Sequence, residues 1–217
     1  MTETHNGHQH AGIDEDDGLS YYARRARSIE ALLVAKNICS SEEVQRVVDQ
    51  ADNRSPADGA RVVARAWVDM EFKALLLTEP KSALAELGFA LADTATQLEV
   101  VENTDQIHHM VVCTLCSCYP RTLLGRPPDW YKSLAYRSRA VVDPRGVMRE
   151  FGLELDDRVS VRVLDSTADM RYLVLPRRPA GSEGMNEEQL AKLVTRDSMV
   201  GVTDALSPAS VAYSIST

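Results

Sequence analysis

Three of the chain's four cysteines fall within six positions, as Cys113-Thr-Leu-Cys116-Ser-Cys118. A disulfide framework spreads its cysteines to staple distant segments, so this crowding points to thiol chemistry or metal binding. Cys113 and Cys116 alone have the Cys-x-x-Cys spacing of a zinc site or a dithiol redox pair. A structural zinc site normally adds a second Cys/His pair at matching spacing, and the sequence has none. His108 and His109 are neighbours on what reads as a strand, where successive side chains face opposite ways, so both cannot easily reach one ion. A thioredoxin-type pair lacks a third thiol two residues on. Cys39 stands alone and reads as a small core residue.

The third thiol widens the chemistry. Between Cys116 and Cys118 lie the backbone nitrogens of Ser117 and Cys118. If both lose their protons, two nitrogens and two thiolates can chelate one ion in a plane. Cys113 then enters axially and the sixth position stays open. Ser117 is small enough to let the backbone approach. Stripping amide protons is costly and demands a trivalent ion: low-spin Co(III), or alternatively Fe(III), suits, whereas Zn(II) and Mg(II) do not. Such a centre acts as a Lewis acid, and its thiolates can be oxidised to sulfenate and sulfinate. A zinc- or thiol-based binding module is the non-enzymatic alternative.

The elements that must position this loop show two textures. The amino half reads as helices. Tyr22, Ala26, Ile29, Leu32 or Leu33, and Ala35 recur at helical spacing between Leu19 and Asn37. Ser40 stands three residues before Glu43 as a capping box does, with Val44, Val47 and Val48 as the stripe behind it. Asp52 to Pro56 has turn composition. Val62, Val63, Ala66, Trp67 and Met70 mark one face of a third helix, and a shorter one runs from Pro80 to Gly88. The carboxy half reads as strands: Leu98-Glu-Val-Val, His109 to Cys113, the alternating Val159, Val161 and Val163, then Tyr172 and Val174. A late helix spans Glu187 to Val194 behind Asn186.

The fold class expected is α+β, with helices and strands segregated along the chain: a helical amino-terminal arm followed by a mixed, layered metal-binding domain. The expected boundaries are a disordered tail over 1–18, the arm over 19–90, the metal-binding domain over 91–205 and a tail over 206–217. The arm is placed to reach another subunit. His5, His8 and His10 fall in the first tail and read as disordered rather than metal-binding.

Composition removes several function classes. In 217 residues, 44% of them apolar, there is enough material for a core. A net charge of −8 argues against a nucleic-acid face, and no apolar run approaches the roughly 20 residues of a membrane span. Met1 to Gly18 has no apolar signal core, so the chain is expected in the cytoplasm. No Ser-His-Asp pattern, phosphate-cradling glycine motif or glycosidase-like acid pair appears.

The string Val111-Val-Cys-Thr-Leu-Cys-Ser-Cys-Tyr-Pro120 closely resembles the metal loop of nitrile hydratase alpha subunits, and equally the homologous thiocyanate hydrolase gamma subunit. Leu124 to Ser133, Tyr136 to Arg139, Asp143 to Gly146, Arg196 to Val202 and Arg61 to Asp69 resemble further family segments in family order. The likeness thus runs from about Leu19 to Val202. It implies sulfur ligation by Cys113, Cys116 and Cys118, and amide ligation by Ser117 and Cys118. It implies a sulfinate at Cys116 and a sulfenate at Cys118, whose oxygen attacks a metal-bound nitrile carbon or acts as base for an attacking water. Thr114 resembles the cobalt branch, where the iron branch has serine. The resemblance also implies a beta-type partner completing a heterodimer or heterotetramer, a metallochaperone or activator, and a small nitrile substrate.

Two departures concern substrate choice. Many nitrile hydratases carry Trp where this chain has Arg121, a position lining the substrate pocket; arginine there is similar to thiocyanate hydrolase. It favours thiocyanate or a polar-tailed nitrile, or else pairs with a partner's carboxylate. Arg177, in Pro176-Arg-Arg-Pro179, replaces an acidic or neutral residue and is expected to alter an outer contact of the centre. Trp130 and Tyr131 read as packing anchors. Arg137, Arg139 and Arg145 read as solvated, or as holding oxidised sulfurs or a partner. Asp165 and Asp169 flank a turn.

Overall fold

The computed structural model describes residues 20–89 and 96–214. The tail expected over 1–18, with its three histidines, lies outside the described residues. The chain divides into two compact units, 1–50 and 51–217.

In the first unit, α1 (Tyr21–Ala35) opens on Ser20, whose hydroxyl accepts the Ala23 N–H at 3.2 Å. It closes on Asn37 in the left-handed region (φ 56°), with Asn37 and Ile38 donating to the Val34 and Leu33 carbonyls. Helix α2 (Ser41–Asp52) carries the expected box: the Ser40 N–H donates to Glu43 at 2.8 Å, and the Glu43 N–H donates to Ser40 at 3.1 Å. Neither helix buries a residue. Tyr22, Ile29, Leu32 and Val47 are exposed, so no described residue of this unit covers the apolar stripes that periodicity placed. Cys39, expected in a core, is only partly buried, because the unit has no core to receive it.

The second unit begins with α3 (Pro56–Val68), capped by a Ser55–Asp58 box, with Val62, Val63, Ala66 and Trp67 buried. The helix expected to continue through Met70 breaks at Asp69. Its carboxylate accepts the Glu71 and Phe72 N–H groups and starts α4 (Met70–Thr78), leaving Met70 exposed. Helix α5 (Pro80–Glu86) ends at Gly88, as expected. These helices share a unit with the strands, so the compact division falls at 50/51, not near residue 90. Periodicity reports which face of a helix is apolar, not what it packs against.

Strand β1 (Gln97–Glu102) and β2 (Ile107–Val112) are followed by α6 (Arg121–Leu124), α7 (Asp129–Lys132), α8 (Leu134–Val142) and α9 (Pro144–Glu150). Then come β3 (Ser160–Asp165), β4 (Met170–Leu175), α10 (Glu187–Ala191), α11 (Arg196–Val200) and α12 (Pro208–Ser214). Pairing is parallel and long-range: β1 lies on β4 with Gln97 opposite Met170, and β2 on β3 with Val112 opposite Asp165. Segregation therefore fails in the carboxy half, since a parallel pair needs a crossover and here four helices supply it. Half-burial also fails in β4: Leu173, Val174 and Leu175 are all buried, because α11 packs on that strand. Helix α12 occupies the segment expected to be a carboxy-terminal tail, with Ser207 accepting the Ser210 N–H ahead of it.

Gly201 closes α11 at φ 84°, where a Cβ would sit 1.9 Å from the His109 carbonyl oxygen. Gly88 has a similar φ of 81° with open space beside it. Urea unfolding should show Gly201→Ala costing about 3 kcal/mol or more, from the left-handed penalty plus overpacking against backbone. Gly88→Ala should cost about 1 kcal/mol, from the first effect alone.

Candidate metal centre

The loop between β2 and α6 brings the three sulfurs together. Cys113 Sγ lies 3.3 Å from Cys116 Sγ, which lies 3.1 Å from Cys118 Sγ. All three atoms fall within 4.8 Å of one another, and among the described residues no other His/Cys/Asp/Glu group is so arranged. Cys113 and Cys118 are buried while Cys116 is exposed, so the cluster opens on one side.

Contacts from distant elements fix the loop. Strand β2 is tied at its end, where Val111 O accepts from the Tyr136 hydroxyl at 2.6 Å and Val112 O from the Ser166 N–H at 2.7 Å. Thr114 is then bracketed. Asp165 accepts its N–H at 2.9 Å and its hydroxyl at 2.6 Å, while Arg137 donates to its carbonyl at 2.8 and 3.2 Å. The Cys116 N–H points at Cys113 Sγ at 3.2 Å. The buried Tyr131 hydroxyl donates to the Cys118 carbonyl at 2.8 Å.

Electrostatics separate the thiols. Hydrogen bonds from the Cys118 and Cys113 thiols, with smaller help from the Ser117 and Cys118 backbone N–H groups, pull Cys116 down to about 7. Burial, then hydrogen bonding with Cys116 and Cys113, pushes Cys118 up to about 12, and the Arg171 charge opposes that rise. Three soft sulfurs in one small volume fit a thiophilic ion, and among the described residues no carboxylate or imidazole joins the set.

Both histidines are engaged elsewhere. His108 Nε2 donates to Gly201 O at 2.9 Å and its Nδ1 accepts from Asn103 at 3.2 Å. The His109 backbone N–H and Nδ1 meet Asn103 Oδ1 at 2.8 and 3.2 Å. Burial lowers the pKa of each, and these bonds suit two neutral rings.

A cavity of about 520 Å³ opens beside the cluster, lined by Cys116, Ser117, Cys118, Arg121, Arg171 and Leu98 among others. Arg121, the first residue of α6, lines this cavity, and no described carboxylate pairs with it. Arg177 does not: it pairs with Asp105 at 2.8 Å and Asp204 at 3.5 Å and lines a different cavity. Its strand-end position carries it away from the sulfurs, so no altered contact to the centre is seen among the described residues. Arg139 pairs with Glu150 and Arg145 caps backbone carbonyls. Only Arg137 of the three reaches the loop, through backbone rather than sulfur. Trp130 packs edge-on against Tyr136 and Phe151, each at 4.8 Å, and Tyr131 is fully buried, as packing anchors are. Sequence reasoning missed Asp165, Arg171 and the Tyr131 hydroxyl as site residues. Their only signal is the strand pairing and helix packing that bring them to the loop.

The sequence profile described as "Nitrile hydratase, alpha chain" matches residues 20–203. The chain is 50% identical over 192 residues to the high-molecular weight cobalt-containing nitrile hydratase subunit alpha of Rhodococcus rhodochrous, covering 88% of this chain and 94% of that one. It is 40% identical over 185 residues to the thiocyanate hydrolase subunit gamma of Thiobacillus thioparus, covering 81% and 76%. Among solved structures, a double variant of the Fe-type nitrile hydratase from Comamonas testosteroni superimposes with a TM-score of 0.79 at 40% identity, covering 89% of this chain and 93% of that one.

In the metal-free chain, exposure and a pKa of about 7 should make Cys116 the first thiol alkylated by iodoacetamide. Peptide mass spectrometry should show its labelling rate rising as pH passes through 7, with Cys118 lagging at neutral pH.

Proposed function

The chain belongs to the nitrile hydratase alpha-chain family, and from that premise we propose that it is the metal-bearing subunit of a nitrile hydratase, converting nitriles to amides. The observation that carries this reading is the three-sulfur cluster at the mouth of an open cavity, in a chain half identical to a cobalt-containing relative. Cys113, Cys116 and Cys118 would hold the ion by sulfur, and Ser117 and Cys118 by their amide nitrogens. Bound there, Co(III), or alternatively Fe(III), would supply Lewis-acid polarisation of a nitrile. The cavity admits the substrate on the exposed side of Cys116. Oxidised by dioxygen to a sulfenate, Cys118 would present its oxygen to the nitrile carbon or take a proton from attacking water, and Cys116, oxidised further to a sulfinate, would complete the pair of oxidised sulfurs. Leu98 and Leu123 give the cavity an apolar wall, while Arg121 and Arg171 place positive charge in it.

A beta-type subunit would close the open side, giving a heterodimer or heterotetramer, and a metallochaperone or activator would load the ion. The cytoplasm, whose reducing poise keeps thiols free, suits a loop that must begin as three thiols.

Thiocyanate hydrolysis is the second reading. It rests on Arg121, whose guanidinium, without a carboxylate partner among the described residues, borders the cavity and would attract an anion, and on the thiocyanate hydrolase relative, which is less similar than the cobalt nitrile hydratase relative.

The test is the chain co-expressed with its beta-type partner. Metal analysis should find stoichiometric cobalt, nitriles should give amides, and the isolated chain should give little product. Ammonia and carbonyl sulfide from thiocyanate, with no amide from nitriles, would establish the second reading instead. Stoichiometric zinc with unmodified cysteines would sink both. Arg121→Trp should raise kcat/KM for apolar nitriles relative to carboxylate-bearing ones by about 10-fold.

A further inference from the structure

The Tyr131 phenol is the one side chain donating directly to a carbonyl of a proposed ligand residue, among the described contacts. Its hydroxyl lies 2.8 Å from the oxygen of Cys118, which in the reading above, on which this inference rests, supplies both a sulfur and an amide nitrogen. A second phenol nearby does comparable work one step away. Tyr136 donates to Val111 O at 2.6 Å, inside β2 and outside the cysteine loop. The two rings are neighbours, with centroids 5.6 Å apart, and both are buried. They therefore form a matched pair: same chemistry, same surroundings, different attachment.

We propose that Tyr131 is a positioning residue for the metal centre, fixing Cys118 by holding its carbonyl in the core. Cys118 lies at the end of the loop, past the Thr114 bracket made by Asp165 and Arg137. No other described hydrogen bond takes its carbonyl. Without the phenol, that carbonyl is a free hard oxygen donor on a residue of the sulfur cluster itself. It can turn towards an ion and compete with the sulfur and nitrogen donors. With the phenol in place the carbonyl is engaged, the Cys118 backbone is set, and its side chain stays at 3.1 Å from the Cys116 sulfur. Ser166, also buried, is tied by its own N–H to Val112 O at the end of β2.

The experiment compares Tyr131→Phe with Tyr136→Phe in the cobalt-loaded complex with the partner subunit. Three quantities are read: the metal-to-sulfur charge-transfer absorption, the half-time of cobalt loss to a chelator, and the thermal midpoint. Both variants remove one buried hydroxyl and should lower the midpoint alike. Tyr131→Phe alone should shift the absorption band and shorten the cobalt half-time about 10-fold, the size usual for losing a group that orients a ligand. 3-Fluorotyrosine keeps the hydroxyl and the fold. At position 131 it should move the same band by changing donor strength, and at position 136 it should not. Identical bands and release times for the two phenylalanine variants, or for the two fluorotyrosine proteins, would overturn the proposal. Their failure leaves the metal reading standing, whereas a wild-type complex without bound cobalt overturns both.

Discussion

Three thiols can share one small volume only if the backbone carrying them is fixed from outside, because a free six-residue loop loses too much entropy by adopting a single shape. Here that fixation rests on the parallel pairing of β2 with β3. The pairing sets Val112 opposite Asp165, so the carboxylate arrives two residues beyond the end of β2, against Thr114. A charge-assisted bond of 2.6 Å to the hydroxyl and a second bond to the N–H hold this residue on one side. The guanidinium of Arg137 holds its carbonyl on the other. Everything downstream, including the sulfur distances and the direction of the amide groups, starts from that anchored residue.

The same arrangement explains the division of labour among polar side chains. Groups that hold the loop act on backbone atoms: Asp165, Arg137, Tyr131 and, on the preceding strand, Tyr136. Groups that face the cavity are left with unsaturated chemistry: the exposed Cys116, the Arg121 guanidinium, and Arg171, which uses only backbone carbonyls of its own turn and strand. The chain carries a net charge of −8, yet among the described residues the charged groups lining this cavity are Arg121 and Arg171, which favour electron-rich or anionic ends there.

The exposed stripes of α1 and α2 follow the same logic at larger scale. Their caps and periodicity are complete within the helices, so the helices form locally, but apolar residues such as Ile29 and Val47 remain in contact with solvent. Such stripes have no thermodynamic purpose in an isolated chain and fit a polypeptide that works as one subunit of an assembly.

Much was legible in the amino-acid order alone. The Ser40 cap, the Pro80 to Gly88 helix and the alternation of Val161 and Val163 are short-range effects, decided by atoms a few residues apart. The crowding of the three sulfurs was legible for the same reason, since they are neighbours in sequence. Tertiary structure alone decided the parallel register, the burial of both faces of β4, and the meeting of Asp165, Arg137, Tyr131 and Arg171 around the loop. Each of these joins segments tens of residues apart or depends on what covers a surface. Local sequence states what each segment can bury or donate. Only packing determines which partner receives it.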